Sequence, residues 1–484
     1  MGMRNILKLG PIGASFCESD DSGRGPRPHP RSQVEPEDRL WFHTHNTAAT
    51  FLSGIHLKAI LKTFQTNLRT RIEALRIDRR WDEIPDLYQF IYKTLFPTQV
   101  EVLFGTSFLA LNPNFLQDFR DFHKGLVYLL RGYPSWLVPT ACSARERCLG
   151  SIKRWHLFLK EQEGNENPPR DEERSRLYGS RYIRTLQKKY GRMKPLDLDA
   201  VASSELGVIW AANSNIITAT FWYIIELAKD PRLLSRIHAE VGASLSQTND
   251  SRSTIDTDRL CTRPFIQSAY AEVLRLHTYN FLLTTSEHSD FNFRGWKIPK
   301  DQMVGISSHT AHMDNKAWNT GLVDGKAPVE TFWAERFLIY EGSARSKPLK
   351  MEHFKRRNTQ RHSTHDLHSF SNSSFASEEN YSSEESPRFC LDELSGIWIP
   401  FGGGYSLCPG RHVAKAEILL AVALVSTAFE FEVLDQLSLK DRFMSRFVSI
   451  KDKGLQHDMR YFGMGVLPPK DKVAARIRRR VERD

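Results

Sequence analysis

Hydrophobic positions along the chain divide it into stretches of different character. Residues 1 to about 38 are polar and rich in Gly, Pro, Ser and charge, with no long apolar run, so this segment is expected to be disordered and to carry no membrane anchor. From about Asp38 to Arg192 apolar residues recur at helical spacing. Leu57, Ile60, Leu61, Phe64 and Leu68 form one stripe, and Leu87, Phe90, Ile91 and Leu95 another. Pro97, Pro113, Pro134 and Pro139 are expected to punctuate these helices. A charged connection at 161–175 reads as a surface loop.

The run Leu206 to Ile225 is uncharged and bracketed by Glu205 and Glu226. Its length suits a membrane span. However, Asn213-Ser214-Asn215 stands at its middle, where unpaired amides would be costly in lipid. A helix buried in protein, its polar notch facing a cavity, is the expected arrangement. Beyond it, Asp290 to Val304 is strand-like, 341–387 is a Ser- and charge-rich insertion expected to be disordered, and Ala414 to Ala428 is an apolar helical run.

Composition changes this picture little. The 484 residues are 40% hydrophobic, enough for a sizeable core. The net charge of +10 is compatible with nucleic acid, an anionic membrane surface or an acidic protein partner. Much of the excess lies in Lys470 to Arg483, which reads as a basic solvated tail, and no nucleic-acid motif accompanies it. Cysteines 17, 142, 148, 261, 390 and 408 show no C-x-x-C pairing, so zinc ribbons and redox dithiols are unsupported and a reducing compartment is the simplest setting.

The chemistry concentrates in Phe401-Gly402-Gly403-Gly404-Tyr405-Ser406-Leu407-Cys408-Pro409-Gly410-Arg411-His412-Val413-Ala414. Glycines allow a close backbone approach to a flat partner, Pro409 removes an N–H beside the sulfur, and a helix N-terminus follows the thiol. Such a thiolate suits iron, and Cys is one of the axial ligands that haem accepts. Upstream, Glu272 and Arg275 stand three apart on an expected helix, close enough to pair. They precede the strand-like stretch and then Phe332-Trp333-Ala334-Glu335-Arg336-Phe337.

The spacing Phe401, Gly404, Cys408, Gly410, Ala414 resembles the haem-binding loop of the cytochrome P-450 superfamily, and the resemblance covers roughly residues 50 to 468. It implies a mainly α fold, a large helix-rich domain with small β-sheets around a buried haem. Cys408 would be the iron ligand, with Phe401, Gly404, Gly410 and Arg411 beside it. Glu272, Arg275 and Arg336 would be a buried triad bracing the loop. The domain would then comprise 39–340 and 388–468, with 469–484 as the tail. Trp210 to Asn215 and Ala219 to Trp222 are similar to the central helix of the branch holding sterol 7α-hydroxylases and prostacyclin synthase. Ala311-His312-Met313-Asp314 and Cys408 to His412 share the wording of fungal secondary-metabolite enzymes.

From that resemblance follow haem b as cofactor, insertion of one oxygen atom from dioxygen into an apolar terpenoid, sterol or alkaloid skeleton, and an NADPH–cytochrome P-450 reductase as flavoprotein partner. The reductase would dock near Arg411 and Lys415. The cytosolic face of the endoplasmic reticulum is the implied location, and peripheral membrane contact or a cytoplasmic location stays open. Two departures stand out. Alignment sets Asn215 and Ile216 where most relatives carry an acid and a Thr, leaving Asn215 and Thr218 as the distal candidates. The front of the fold also reads as short, lacking the anchor, proline hinge and first sheet of relatives. A reductase-independent isomerase or dehydratase, and an inactive truncated relative, therefore remain alternatives.

Overall fold

The computed structural model describes residues 8–162, 171–193, 196–246, 254–286, 288–321, 327–340, 347–350, 387–434 and 455–480. In chain order its α-helices are α1 (Pro11–Ser19), α2 (Leu40–Phe51), α3 (Gly54–Ala74), α4 (Leu87–Phe104), α5 (Thr106–Leu111), α6 (Phe115–Leu130), α7 (Pro139–Gln162), α8 (Asp171–Tyr178), α9 (Arg181–Tyr190), α10 (Leu198–Lys229), α11 (Pro231–Gly242), α12 (Thr257–Thr262), α13 (Pro264–His277), α14 (Ser308–His312) and α15 (Arg411–Ala428). Strands are β1 (Asp82–Ile84), β2 (Leu245–Ser246), β3 (Thr254–Ile255), β4 (Thr278–Thr284), β5 (Phe291–Phe293), β6 (Trp296–Ile298), β7 (Val304–Ser307), β8 (Leu338–Ile339), β9 (Arg388–Phe389), β10 (Phe429–Val433), β11 (Met464–Val466) and β12 (Ala475–Arg479).

The organising element is α10, 32 residues long and started by Asp197, whose carboxylate accepts from the Ala200 N–H. From Ile216 to Leu227 every residue is buried, against α4, α13 and α15 among others. The helix is long and apolar enough to cross a bilayer, yet 67% of its most apolar window is covered by the protein itself. The core packs around it, with Leu57, Ile60, Leu61, Phe64 and Leu68 of α3 all buried as the periodicity required. A three-stranded sheet β1–β12–β10 flanks one side. A second, β11–β4–β7, is antiparallel throughout, with Gly465 opposite Tyr279 and Leu282 opposite Ile306. The stretch 290–304 is the hairpin β5–β6 leading into β7, turned by Arg294 and Gly295 at positive φ.

Four expectations need correction. First, the amino-terminal segment expected to be disordered up to residue 38 is built from residue 8 onward. Arg39 is 4% exposed, and its guanidinium donates to the carbonyls of Pro26, Gly23 and Gly25 and to Ser22 Oγ. Asp20 accepts from Ser22 and from the Trp41 N–H at the start of α2. Polar bonds over long sequence separations hold this segment, so apolar periodicity does not reveal it. Second, Pro97 sits inside α4. Flanking threonines bond back to carbonyls, Thr94 to Phe90 and Thr98 to Thr94, and burial of the helix outweighs the missing N–H.

Third, the basic tail is no tail over 475–479. β12 is the central strand of its sheet, with Ala475 and Ile477 fully buried and Arg476 and Arg478 paired across the strands to Glu432 and Glu430. The inward alternation is hidden between arginines. Fourth, the connection at 161–175 is helical at its described ends, in α7 and α8. The insertion lies largely outside the described residues. Within its bounds Leu349 is buried, and Lys350 N donates to Ala317 O.

Arg39→Ala leaves the Gly23, Gly25 and Pro26 carbonyls without their donor. The expected loss is about 2–3 kcal/mol of stability in urea titrations, from bonds made to a charged group. Residues 20–38 should at the same time become sensitive to limited proteolysis. An unchanged midpoint and an intact segment would show that Arg39 carries no such weight.

Candidate active site

Local backbone chemistry places Cys408. Gly402 (φ 80°) and Gly404 (φ 58°) adopt left-handed conformations, so two of the four glycines turn the loop where a side chain would be strained. Residues Gly404–Ser406 make one 3₁₀ turn, and the Cys408 N–H returns to Phe401 O at 2.9 Å. α15 then starts at Arg411, whose guanidinium donates to Cys408 O at 3.1 Å. Trp398 packs edge-on to Phe401 and donates its indole N–H to Ala271 O.

The thiol is mostly enclosed by its loop. Burial raises its pKa, and neither the Gly410 N–H aimed at the sulfur nor Arg411 offsets this fully. A nearby cation is what ionises such a thiol. Among the described residues no group of three or more His, Cys, Asp or Glu side chains could hold a metal ion. A lone thiol is thus a poor donor set for a protein-bound zinc. It is a suitable one for haem, whose macrocycle brings its own equatorial ligands and needs one soft axial donor.

A place for a flat group is also visible. Phe401 to His412 are all at least partly exposed although they adjoin the core. On α10, Val208, Ala211, Ala212 and Asn215 form an equally open stripe at helical spacing. The sheet joins the two: Asn280 of β4 donates to Pro400 O, and Val466 N of β11 donates to Asn215 Oδ1 at 2.8 Å. Only glycine fits at 465, where a Cβ would lie 2.0 Å from Asn215 Oδ1. The residues present fit haem: one thiol on a partly open glycine turn, and small, partly open side chains on α10 linked to that turn through the sheet.

Glu272, Arg275 and Arg336 converge, each side chain fully buried. Arg275 grips both Glu272 oxygens (2.7 and 2.8 Å), and Arg336 Nε donates to Oε1 at 2.9 Å. The second positive charge is absorbed by the carbonyls of His312, Val329, Pro328, Thr331 and Asn319. Burial alone would raise the Glu272 pKa, but the two guanidinium groups outweigh it and hold the carboxyl below its ordinary value. The cluster reaches the loop through His312, whose Nε2 accepts from the Ile399 N–H at 3.0 Å.

On the distal side the two aligned positions differ in exposure. Ile216 is 4% exposed and part of the core, while Asn215 lies on the open stripe. Thr218 Oγ1 donates to Ser214 O and meets Tyr88 OH at 3.0 Å. Ser214, Asn215, Thr218 and Trp210 line a cavity of about 10 Å³, closed by His123 and Leu126 of α6 and by Tyr461, Met464, Val466 and Pro468. Lys415, expected near a docking face, is half-buried and meets Gln267 Oε1 and the Phe389 ring.

Sequence reading missed Tyr88, His123 and Tyr461, which lack any local motif. It also missed His45, whose Nε2 bonds Leu407 O at 3.0 Å, and Glu417 of α15. Burial pushes the Glu417 carboxyl up to about 8, opposed only by the Gln99 amide 3.2 Å away.

These findings agree with comparison to known proteins. The family model described as Cytochrome P450 matches residues 35–348 and 365–459. Cytochrome P450 monooxygenase fsoE of Humicola fuscoatra is 32% identical over 457 residues, covering 93% of this chain and 72% of that protein. Cytochrome P450 monooxygenase efuG of Hormonema carpetanum is 30% identical, over 90% and 72%. Cytochrome P450 7A1 of Rattus norvegicus is 24% identical, over 90% and 75%. The retinoic acid-bound cyanobacterial CYP120A1 superposes with a TM-score of 0.60 at 16% identity, over 93% of this chain and 80% of that one.

Two outcomes are expected. Glu272→Ala strands two buried guanidinium groups, so a loss of about 3–5 kcal/mol and purified protein with little haem are expected; normal haem content would count against the bracing role. Glu417 is protonated in the fold but ionised in the unfolded chain between its ordinary value near 4.5 and about 8. Stability therefore falls as pH rises through that window, by about 1.4 kcal/mol per pH unit. Glu417→Gln should flatten this fall in urea titrations across pH 4.5–8, and parallel curves for the two proteins would exclude a buried neutral acid.

Proposed function

Because the chain belongs to the cytochrome P450 family, we propose that it is a haem-thiolate monooxygenase that inserts one atom of dioxygen into an apolar small molecule of fungal secondary metabolism. The observation that carries this reading is the Cys408 loop, a single thiol on a braced turn that is partly open along its length. Members of this family are oxidoreductases that contain haem iron and take electrons from redox partners. Haem b and an NADPH-dependent flavoprotein reductase are the cofactor and partner proposed for this chain. Work at the cytosolic face of the endoplasmic reticulum is proposed with them.

When bound, haem supplies the oxidising chemistry, splitting dioxygen so that one atom reaches substrate and the other leaves as water. The chain's own residues then have three tasks. Cys408 Sγ would hold the iron as an anion, and the Gly410 N–H aimed at the sulfur favours that charged form. Glu272, Arg275 and Arg336, acting through His312 and Trp398, hold the loop still. Phe401, the alanines of α10 and β11 exclude water, so that orientation dominates.

Proton supply is the unusual part. Val208, Ala211, Ala212 and Asn215 carry no acid, and the Asn215 oxygen is engaged by Val466 N. Thr218 is the nearest hydroxyl of α10 with a partner of its own: Tyr88, whose phenol burial keeps protonated, with its pKa pushed up to about 12. We assign proton delivery to a water or a substrate hydroxyl beside Asn215 and Thr218. The same lack of an acid favours the second reading, a reductase-independent isomerase or dehydratase.

The test is the spectrum of the reduced, carbon monoxide-treated protein. Wild type should show the red-shifted Soret band of a thiolate-ligated haem, and Cys408→Ser should lose that band and all turnover while keeping most of its helical circular dichroism. Persistence of the band in the variant would remove Cys408 as ligand. Substrate turnover with no NADPH consumed above background would move the assignment to the isomerase.

A further inference from the structure

The cavity beside α10 contains more hydrogen-bonding capacity than the protein uses. Trp210 and Ser214 stand one turn apart on α10 and line it with Thr218. Thr218 is satisfied, by Ser214 O and Tyr88 OH. The Trp210 indole N–H and the Ser214 hydroxyl are buried, and among the described residues neither has a partner. Buried donors of this kind are rare, because each loses its bonds to water without replacement. Facing them across the cavity is His123 of α6, its ring stacked on Tyr461. Burial lowers the His123 pKa to about 4, so the imidazole is neutral near pH 7 and adds no charge to the cavity. Asn215 also lines it, its Oδ1 already engaged by Val466 N, and the remaining lining is apolar: Leu126, Met464, Val466 and Pro468. A volume of about 10 Å³ is roughly that of one water-sized group.

We infer that this cavity is a seat for one neutral oxygen function of the substrate, a ketone or alcohol, received by Trp210 Nε1–H and Ser214 Oγ. The inference rests on the monooxygenase reading above and narrows its substrate class. The substrate is then an apolar skeleton that has already been oxygenated once. The reaction that supplies it is an oxidation or an oxygen-retaining cyclisation, and a plain hydrocarbon is a poor ligand. The neutral imidazole and the absence of any Lys, Arg, Asp or Glu from the lining argue against a carboxylate or an amine. Sites built to bond a substrate oxygen discriminate strongly against the analogue without it, because their own groups are left unpaired.

The experiment uses haem-loaded full-length protein and two rigid skeletons in matched forms: adamantane with 2-adamantanone, and 5α-androstane with 5α-androstan-3-one. Binding is read from the absorbance shift of the haem. For at least one skeleton the ketone should bind about 10-fold or more tightly than its hydrocarbon, the equivalent of one recovered hydrogen bond. That preference should shrink towards one in Trp210→Phe and Ser214→Ala. Both variants should keep the wild-type carbon monoxide spectrum, and Ser214→Ala should melt no lower than wild type, since its hydroxyl has no partner to lose among the described residues. Equal affinity for ketone and hydrocarbon in both pairs, as for a cavity that only holds an ordered water, overturns the inference. So does a preference that survives in both variants, or binding of none of the four probes. Absence of the thiolate spectrum in wild type would instead sink the reading on which the inference rests.

Discussion

A single buried carboxylate, Glu272, is the point on which the proximal half of the molecule depends. It holds two guanidinium groups that come from different parts of the chain, and all three side chains are removed from water. Such a cluster tolerates burial only when every donor finds an acceptor, and here the surplus charge is spread over backbone carbonyls of 312–331. Except for His312 at the end of α14, those carbonyls lie in irregular chain, which the guanidinium donors help to hold. His312 passes the constraint on, accepting from the loop at Ile399 while its own carbonyl is held by Arg275. The buried carboxylate is thereby linked, through His312, to the start of the segment that leads into the Cys408 loop.

Across the open stripe the protein uses the opposite strategy. The cysteine side is rigid and dense in hydrogen bonds, whereas α10 presents alanines, a valine and one engaged amide. Small apolar side chains let a flat group approach closely and leave orientation to the walls of the cavity. Polar capacity is kept to the two turns from Trp210 to Thr218, which line the cavity together with His123 and Tyr461. Burial thus does two separate jobs in this molecule. It raises the pKa of Cys408 and Glu417 and so penalises charge, and it leaves Trp210 and Ser214 waiting for a partner.

What the sequence by itself determined was whatever depends on near neighbours in the chain. The cysteine loop is contiguous, so its turn, its glycines at 402 and 404 and the helix after it could be read directly. The apolar run of α10, its polar notch and the stripes of α3 and α4 were legible for the same reason, since helical phase is a local property. The triad could be anticipated from the order of its members and the family resemblance, though not from spacing alone. Tertiary structure decided the rest. Arg39 and Asp20 order the amino-terminal segment through bonds that no hydrophobic pattern records. β12 hides its inward alternation among arginines, and Pro97 stays helical because the core around α4 outweighs one lost bond. Asn215 lines the cavity while its neighbour Ile216 is packed in the core, a difference in facing that follows from how α10 is seated. His123 and Tyr461 meet although 338 residues separate them. Contacts of that range are set by packing of the whole chain, because their free energy comes from burial shared among elements and not from any one segment's preference.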